Sequence, residues 1–524
     1  MLCSNKLKGV MSTCAICDQP TKNKCSNCNQ SFYCCAEHQK QHWKTHKVSC
    51  RPFKVEYSDQ LGRYLVSTRS IKPFEIILRE APLICTPSQV TNPVCLGCLN
   101  GIEPSDYVEC DKCGWPLCGV ECKGKADHQA ECEFTVKRGS KVSVKEFTNP
   151  HPLYQCMGTV RCLLLAKNYP EKWKMFLKLE SLERQRRGSM QWKADLESIG
   201  KFIPRFFKTT EFNEDLIMKT IGILQINGHE VPVTDPPHVA IFSNASFLEH
   251  SCSPNLAKSF TREGNIILWA PKAIKNKTHL SICYSDAVWG TAERQQHLMH
   301  TKLFKCVCQR CLDVTECGTN YDAFKCTTSV CDGAILPTSL REWNSAWRCS
   351  TCGAQADISF IKSILEKAGK DLQAMDKTVE NCIKYIQHYQ KWLTRRHYFI
   401  CQVKIQLVQL IGTDPKELMV VPENQLNKKL EYVKELLELY ENLVPCEVRM
   451  LGTFCFELHS AIAEHTRRVA LQTTLSPKNM LEESLLYVEK CIDYLQQECD
   501  LFVEGHILKQ AKINRDALRM VLVM

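Results

Sequence analysis

Thirty-four of the 524 residues are cysteine, and their grouping constrains the fold more than any other feature. Secreted disulfide frameworks are cysteine-dense because they are short and lack a core. This chain is long, 44% of it is hydrophobic, and its first residues, MLCSNKLKGV, lack the apolar segment of a secretory leader. Cysteines in Cys-x-x-Cys pairs with histidines nearby then point to zinc in a reducing compartment. No stretch reaches the ~18 apolar residues that a membrane span needs, so a soluble protein of two to four domains is expected.

The first cluster runs from Cys14 to Cys50. Its ligand pairs are Cys14/Cys17, Cys25/Cys28, Cys34/His38 and His46/Cys50. Two interleaved tetrahedral sites would clip a segment too small for its own core. Cys14, Cys17, Cys34 and His38 are assigned to one ion, and Cys25, Cys28, His46 and Cys50 to the other. The pattern resembles the MYND zinc finger, with its Phe32-Tyr33-Cys34 step and its Gln39, Trp43, His46 ending. His38 stands where many members carry cysteine. The resemblance implies a protein-interaction module. A second, divergent copy spans 95–132, with pairs Cys95/Cys98, Cys110/Cys113, Cys118/Cys122 and His128/Cys132 but without the aromatic ending.

Two further clusters follow. Cys306, Cys308 and Cys311 in CVCQRC supply three thiolates, one short of a tetrahedron. Cys326, Cys331, Cys349 and Cys352 are a complete set, and the connection between their two pairs is that of a zinc ribbon. Beyond residue 358, Leu426, Leu430, Val433, Leu437 and Tyr440 recur at helical spacing. So do Leu481, Leu485, Val488, Ile492 and Leu495, after a Ser476-Pro477 start signal. A helical bundle or TPR-like superhelix over 358–524 is expected.

Between the clusters, residues 55–84 read as short strands, 153–226 as helices, and 238–290 as strands again. The order of a Gly62-Arg63 turn, inserted finger, helical insert, HSCSPN (250–255), LSICYSD (280–286) and CVCQRC resembles the SET-and-MYND (SMYD) family of protein-lysine methyltransferases. The additional N-terminal finger and the ribbon look like its arthropod branch. The resemblance implies a multidomain α+β protein. Its parts are a MYND finger (14–50), a split SET domain (55–305) holding the second finger (95–132) and the helical insert (153–226), a post-SET zinc cluster (306–311), a ribbon (326–352) and a helical domain (358–524).

The same resemblance supplies the missing ligand, Cys252, for the 306–311 cluster. It implies Tyr284 as the catalytic tyrosine and Gly62, Arg63, Asn227, Glu249 and His250 as contacts for S-adenosyl-L-methionine. About six zinc ions are then implied. Twenty-one thiolates subtract 21 from the formal charge of +10 and six dications add 12, leaving +1. Near-neutrality argues against direct nucleic-acid binding, and the local basic run of Lys137, Arg138, Lys141 and Lys145 reads as a solvated linker.

Three positions depart from the family pattern. Tyr64 replaces the second glycine of Gly-x-Gly, Glu249 replaces the asparagine of Asn-His-Ser-Cys, and Lys302 replaces a tyrosine of the lysine channel. A Glu249–Lys302 ion pair is expected to reconcile two of them. The resulting expectation is an S-adenosylmethionine-dependent methyltransferase acting on lysine of a histone or another protein, with a role in chromatin and transcription regulation. Its partners would be a protein substrate and proline-containing peptides or corepressors at the fingers, and it would be a monomer of nucleus and cytoplasm. The rival expectation is a zinc-dependent interaction scaffold or corepressor adaptor with a weak or inactive SET domain.

Overall fold

The computed structural model describes residues 12–25, 31–340, 344–472 and 478–523. The first finger closes on helix α1 (Ala36–Ser49), which carries His38 and His46 two turns apart. Chain reversal at a Gly62 turn with φ +68° then pairs β1 (Phe53–Ser58) with β2 (Gly62–Ser67). Only glycine takes that left-handed turn without strain. β3 (Ile76–Glu80) and β4 (Ile84–Thr86) lead into the second finger.

The helical insert includes α2 (Met157–Asn168) and α3 (Glu214–Asn227). Asn213 starts α3 by accepting the Leu216 N–H at 2.9 Å. Strands then return as β5 (His229–Val231), β6 (His238–Ile241), β7 (Glu249–His250), β8 (Ala257–Phe260), β9 (Ile266–Trp269) and β10 (Ser281–Ile282). They assemble as three small units: β8–β9–β3, β4–β6–β5, and a parallel pair of β10 with β7. The alternating apolar residues of these strands close one core that includes Leu65, Leu78, Phe242, Leu268 and Ile282.

The second finger is not a free module. Cys95, Leu96, Trp115 and Phe134 share a buried core with Met157, Val160, Ile203, Phe207 and Ile221 of the insert. Arg161 of α2 donates through Nε and Nη2 to the buried Glu131 carboxylate at 2.6 and 2.9 Å, and through Nη2 to the Leu96 carbonyl at 2.6 Å. Two of the four basic residues of the linker have carboxylate partners. Lys137 pairs with Glu211, Lys145 with Glu109, and Arg138 lies 4.1 Å from the Phe206 ring centroid.

The C-terminal region is helical from Ile358 onward. Leu426, Val433, Leu437 and Tyr440 are buried on the helix Glu423–Leu443, as their spacing requires. The Ser476-Pro477 signal lies outside the described residues, but the helix it was expected to start runs Lys478–Leu495 with Val488 and Leu495 buried. The helical domain is clamped onto the strands. Ser259 Oγ of β8 donates to buried Glu498 at 2.6 Å, Arg449 meets the same carboxylate at 2.9 Å, and Arg262 pairs with Asp500. Among the described residues no helix is long and apolar enough to cross a membrane.

Candidate functional site

Donor atoms expected to share a metal are found within 4.8 Å of one another in five four-residue groups. These are Cys14, Cys17, Cys34 and His38; Cys95, Cys98, Cys118 and Cys122; Cys110, Cys113, His128 and Cys132; Cys252, Cys306, Cys308 and Cys311; and Cys326, Cys331, Cys349 and Cys352. In the remaining expected site, Cys25 and Cys50 sulfurs lie 3.7 Å apart beside buried His46, and Cys28 lies outside the described residues. Four soft thiolates, or three with one imidazole, closed on four sides, fit structural zinc. Burial, and secondarily Arg161, pulls His128 down to about 4, so its ring is neutral and able to ligate at neutral pH.

Cys252 does complete the three-thiolate set, with its sulfur 3.4 Å from that of Cys311 and 3.9 Å from that of Cys306. A second, ionic tie reinforces it, and sequence reading missed it. Arg310, between two ligands, donates to the Cys252 and Ala287 carbonyls at 3.1 and 2.6 Å. Its Nε also meets buried Glu316 at 2.6 Å, and Arg294 joins the same carboxylate at 3.1 Å. Burial opposes ionisation of Glu316, but the two guanidinium groups outweigh it and hold its carboxyl at about 2. Nothing in the local sequence marks Glu316, because its partners lie 6 and 22 residues away.

The remaining site residues gather around the loop from Phe247 to Asn255. Asn255 fixes that loop, accepting the Ser281 N–H at 2.9 Å and donating to the His279 carbonyl at 2.7 Å. Its other end is held by Glu80, whose carboxylate accepts from the Asn244 and Ala245 N–H groups. This was a second residue that sequence reading missed. His250 uses both ring nitrogens: Nδ1 accepts the Tyr284 N–H at 3.0 Å, and Nε2 lies 3.2 Å from the Cys252 sulfur. The Tyr284 hydroxyl donates to the Leu248 carbonyl. Burial, with Glu249 as the lesser cause, pushes the phenol above its ordinary value, so it remains a hydroxyl donor at neutral pH.

Gly62, Arg63 and Asn227 close the other side. Arg63 stacks over Phe247, 4.7 Å from the ring centroid, and donates to the Lys178 carbonyl. Asn227 is the last residue of α3, and its amide donates to the Glu180 carbonyl at 2.7 Å. Both therefore brace the same 178–180 segment. No atom lies within 4 Å of where a Gly62 side chain would begin, so the turn is open to close approach by a ligand. Phe304 lies 5.8 Å from His250, ring centre to ring centre, and adds an aromatic face that was not anticipated.

The expected Glu249–Lys302 pair does not form. Glu249 contacts His279 Nδ1 at 3.1 and 3.2 Å, and the His279 ring stacks on Tyr64 with centroids 4.5 Å apart. Two of the three departures are thus one cluster. Tyr64 packs its ring on His279 and directs its hydroxyl to Glu56 at 3.4 Å. Lys302 turns instead to the C-terminus of α3, donating to the Gln225 and Ile226 carbonyls at 3.1 and 2.8 Å. The physical reason is local: free carbonyls at a helix end attract a cation that has no nearby carboxylate. A cleft of about 1440 Å³ lies elsewhere, lined by residues that include Trp289, His300, Trp347 and Phe399.

A strand-built core, an internally tied HSC loop, and a thiolate cluster beside a half-buried tyrosine define a SET domain with attached zinc fingers. The comparisons agree. The MYND finger family model matches residues 14–50 and the SET domain model residues 62–285. The chain thus carries a MYND finger and a SET domain, the two parts for which SET-and-MYND proteins are named, and it is similar to proteins of that family. It is 26% identical over 307 residues to "SET domain-containing protein SmydA-8, isoform A" of Drosophila melanogaster, covering 57% of this chain and 64% of that one. It is 21% identical over 417 residues to "Histone-lysine N-methyltransferase ASHR1" of Arabidopsis thaliana, covering 75% and 83%. It is 26% identical over 283 residues to "Histone-lysine N-methyltransferase SMYD3" of Homo sapiens, covering 50% and 62%. The matches to the two SmydA-8 isoforms span 64% and 66% of their lengths.

Proposed function

We propose that this protein is an S-adenosylmethionine-dependent protein-lysine N-methyltransferase acting on a histone or another protein. The observation that carries the reading is the convergence of Tyr284 and Arg63 on the single loop from Phe247 to His250, beside an open Gly62 turn, with Arg63 and Asn227 both tied to the 178–180 segment. The cofactor supplies an electrophilic methyl group when bound. Gly62, Arg63, Asn227, Glu249 and His250 are the residues proposed to hold it. The protein's own contribution is alignment: Tyr284 presents a fixed hydroxyl dipole to the acceptor amine, and the Leu248 carbonyl fixes the direction of that hydroxyl. Names of the relatives support the reaction class, and a role in chromatin and transcription, in nucleus and cytoplasm, is part of the same proposal. We further propose a monomer that takes proline-containing peptides on the first finger, where Trp43 is 43% exposed.

Calorimetry with S-adenosylmethionine, followed by methyl-transfer assays on protein substrates, tests this. Tyr284→Phe is expected to bind the cofactor within about threefold of wild type while losing roughly 100-fold or more in turnover. No cofactor binding at millimolar concentration would overturn the enzyme reading. A scaffold reading is favoured by the cation of Lys302, 5.7 Å from the Tyr284 ring centroid. Cofactor binding with no transfer in wild type would select it.

A further inference from the structure

The cation beside Tyr284 is fixed in place. Lys302 ends the helix Thr291–Thr301 as its C-terminal cap, and its ammonium reaches across to the last turn of α3, where two backbone carbonyls hold it at 3.1 and 2.8 Å. A helix C-terminus favours positive charge, so the ammonium sits in a minimum rather than swinging freely. It lies over the Tyr284 ring, 5.7 Å from its centre. Among the described residues no carboxylate forms an ion pair with it.

A second lysine adds to the same field. Lys258 on β8 is half-buried, and its charge is felt by Lys302 and by His229. Among the described residues it makes neither a hydrogen bond nor an ion pair. Glu447 and Glu230 face it from the helical domain and from β5, but neither pairs with it. Arg449, the other cation near it, is spent on Glu498. His229 is held neutral by its burial, down to about 3. Glu249, whose charge Tyr284 feels, is turned to His279, and Asp286, two residues from Tyr284 in sequence, is exposed and accepts the Val288 N–H at 3.0 Å. The charge seated directly over the Tyr284 ring is therefore the Lys302 ammonium.

We propose that Lys302, supported by Lys258, is a specificity-determining cation of the acceptor site, selecting a target lysine embedded in an acidic segment. The inference rests on Tyr284 as the methyl-transfer centre. An acceptor flanked by arginine and lysine, as in a basic tail, adds like charge to a site that already holds the Lys302 ammonium. An acceptor flanked by aspartate and glutamate supplies the carboxylate with which Lys302 forms no ion pair among the described residues.

The test uses the full-length protein and fluorescein-labelled peptides with one central lysine, flanked by four acidic or four basic residues, with binding read by fluorescence anisotropy. Wild type is expected to bind the acidic peptide about tenfold or more tightly than the basic one, a gap that narrows as salt is raised. In Lys302→Met the gap is expected to fall to about threefold or less, while Lys302→Arg retains it. Circular dichroism and thermal melting check that each variant is folded. If Lys302→Met does not fold, Lys258→Met carries the same expectation, at a smaller size. Equal or tighter binding of the basic peptide by wild type overturns the proposal. So does an acidic preference unchanged in Lys302→Met, or binding of neither peptide. Because peptide binding is read without turnover, absence of cofactor binding in calorimetry with the acidic preference intact would fail the methyltransferase reading and leave the acidic-segment site standing.

Discussion

Glu316 shows how much a single buried charge can hold. Its carboxylate receives Arg294, Arg310 and the Thr291 hydroxyl, and all three charged groups are fully buried. Removing the centre strands two guanidinium groups away from water, so Glu316→Ala is expected to destabilise the protein by about 3–5 kcal/mol in chemical denaturation. The acid sensitivity has a definite sign. The folded carboxyl is depressed from 4.5 to about 2, so its contribution is fully present above about pH 4.5 and drains away as the pH falls toward 2. Glu316→Gln should flatten that part of the stability–pH curve; an unchanged curve would show that the network does not carry the effect. At Glu249 the same residue-scale logic gives a smaller stake, because its partner His279 has a side chain 45% exposed.

At the scale of elements, the two fingers look alike in ligand spacing and differ in what surrounds them. The second finger lends Trp115 and Phe134 to the core of the helical insert and is bolted to α2 through Glu131 and Arg161. The first has a small buried cluster of its own, Cys25, Tyr33 and Cys50. Metal loss should therefore be local in one and global in the other. Six zinc ions per chain are expected by elemental analysis, and Cys17→Ser and Cys113→Ser should each lower the count by about one. The first substitution should leave the main melting transition in place. The second should broaden or abolish it, because folding of that finger is coupled to the insert. Matching melting curves for the two variants would refute the distinction.

For the whole molecule, the decisive contacts are those that press the helical domain on the strands. Ser259, Arg449 and Glu498 meet in a buried junction, and Trp269 donates its indole N–H to Ser259 at 3.3 Å. Glu498→Ala leaves Arg449 and the Ser259 hydroxyl without their acceptor. It is expected to cost about 2–4 kcal/mol and to expose the junction to limited proteolysis before global unfolding. Cleavage kinetics like those of wild type would count against a docked clamp.

The sequence by itself determined the zinc groups, the helical character beyond residue 358 and the identity of the loop around Tyr284. Ligand spacing and apolar periodicity are short-range properties that survive without knowledge of the fold. It also implied that Cys252 joins Cys306, Cys308 and Cys311, although they stand 54 or more positions further along the chain, because the family order carried that information. Only the tertiary structure decided which partner each lone charge takes. Glu249 found His279, Lys302 found the carbonyls ending α3, Arg310 found Glu316, and the second finger lost its free surface to the insert. The choice among distant partners depends on which helix ends, ring faces and desolvated pockets the folded chain brings within a few ångströms, and no local pattern encodes that.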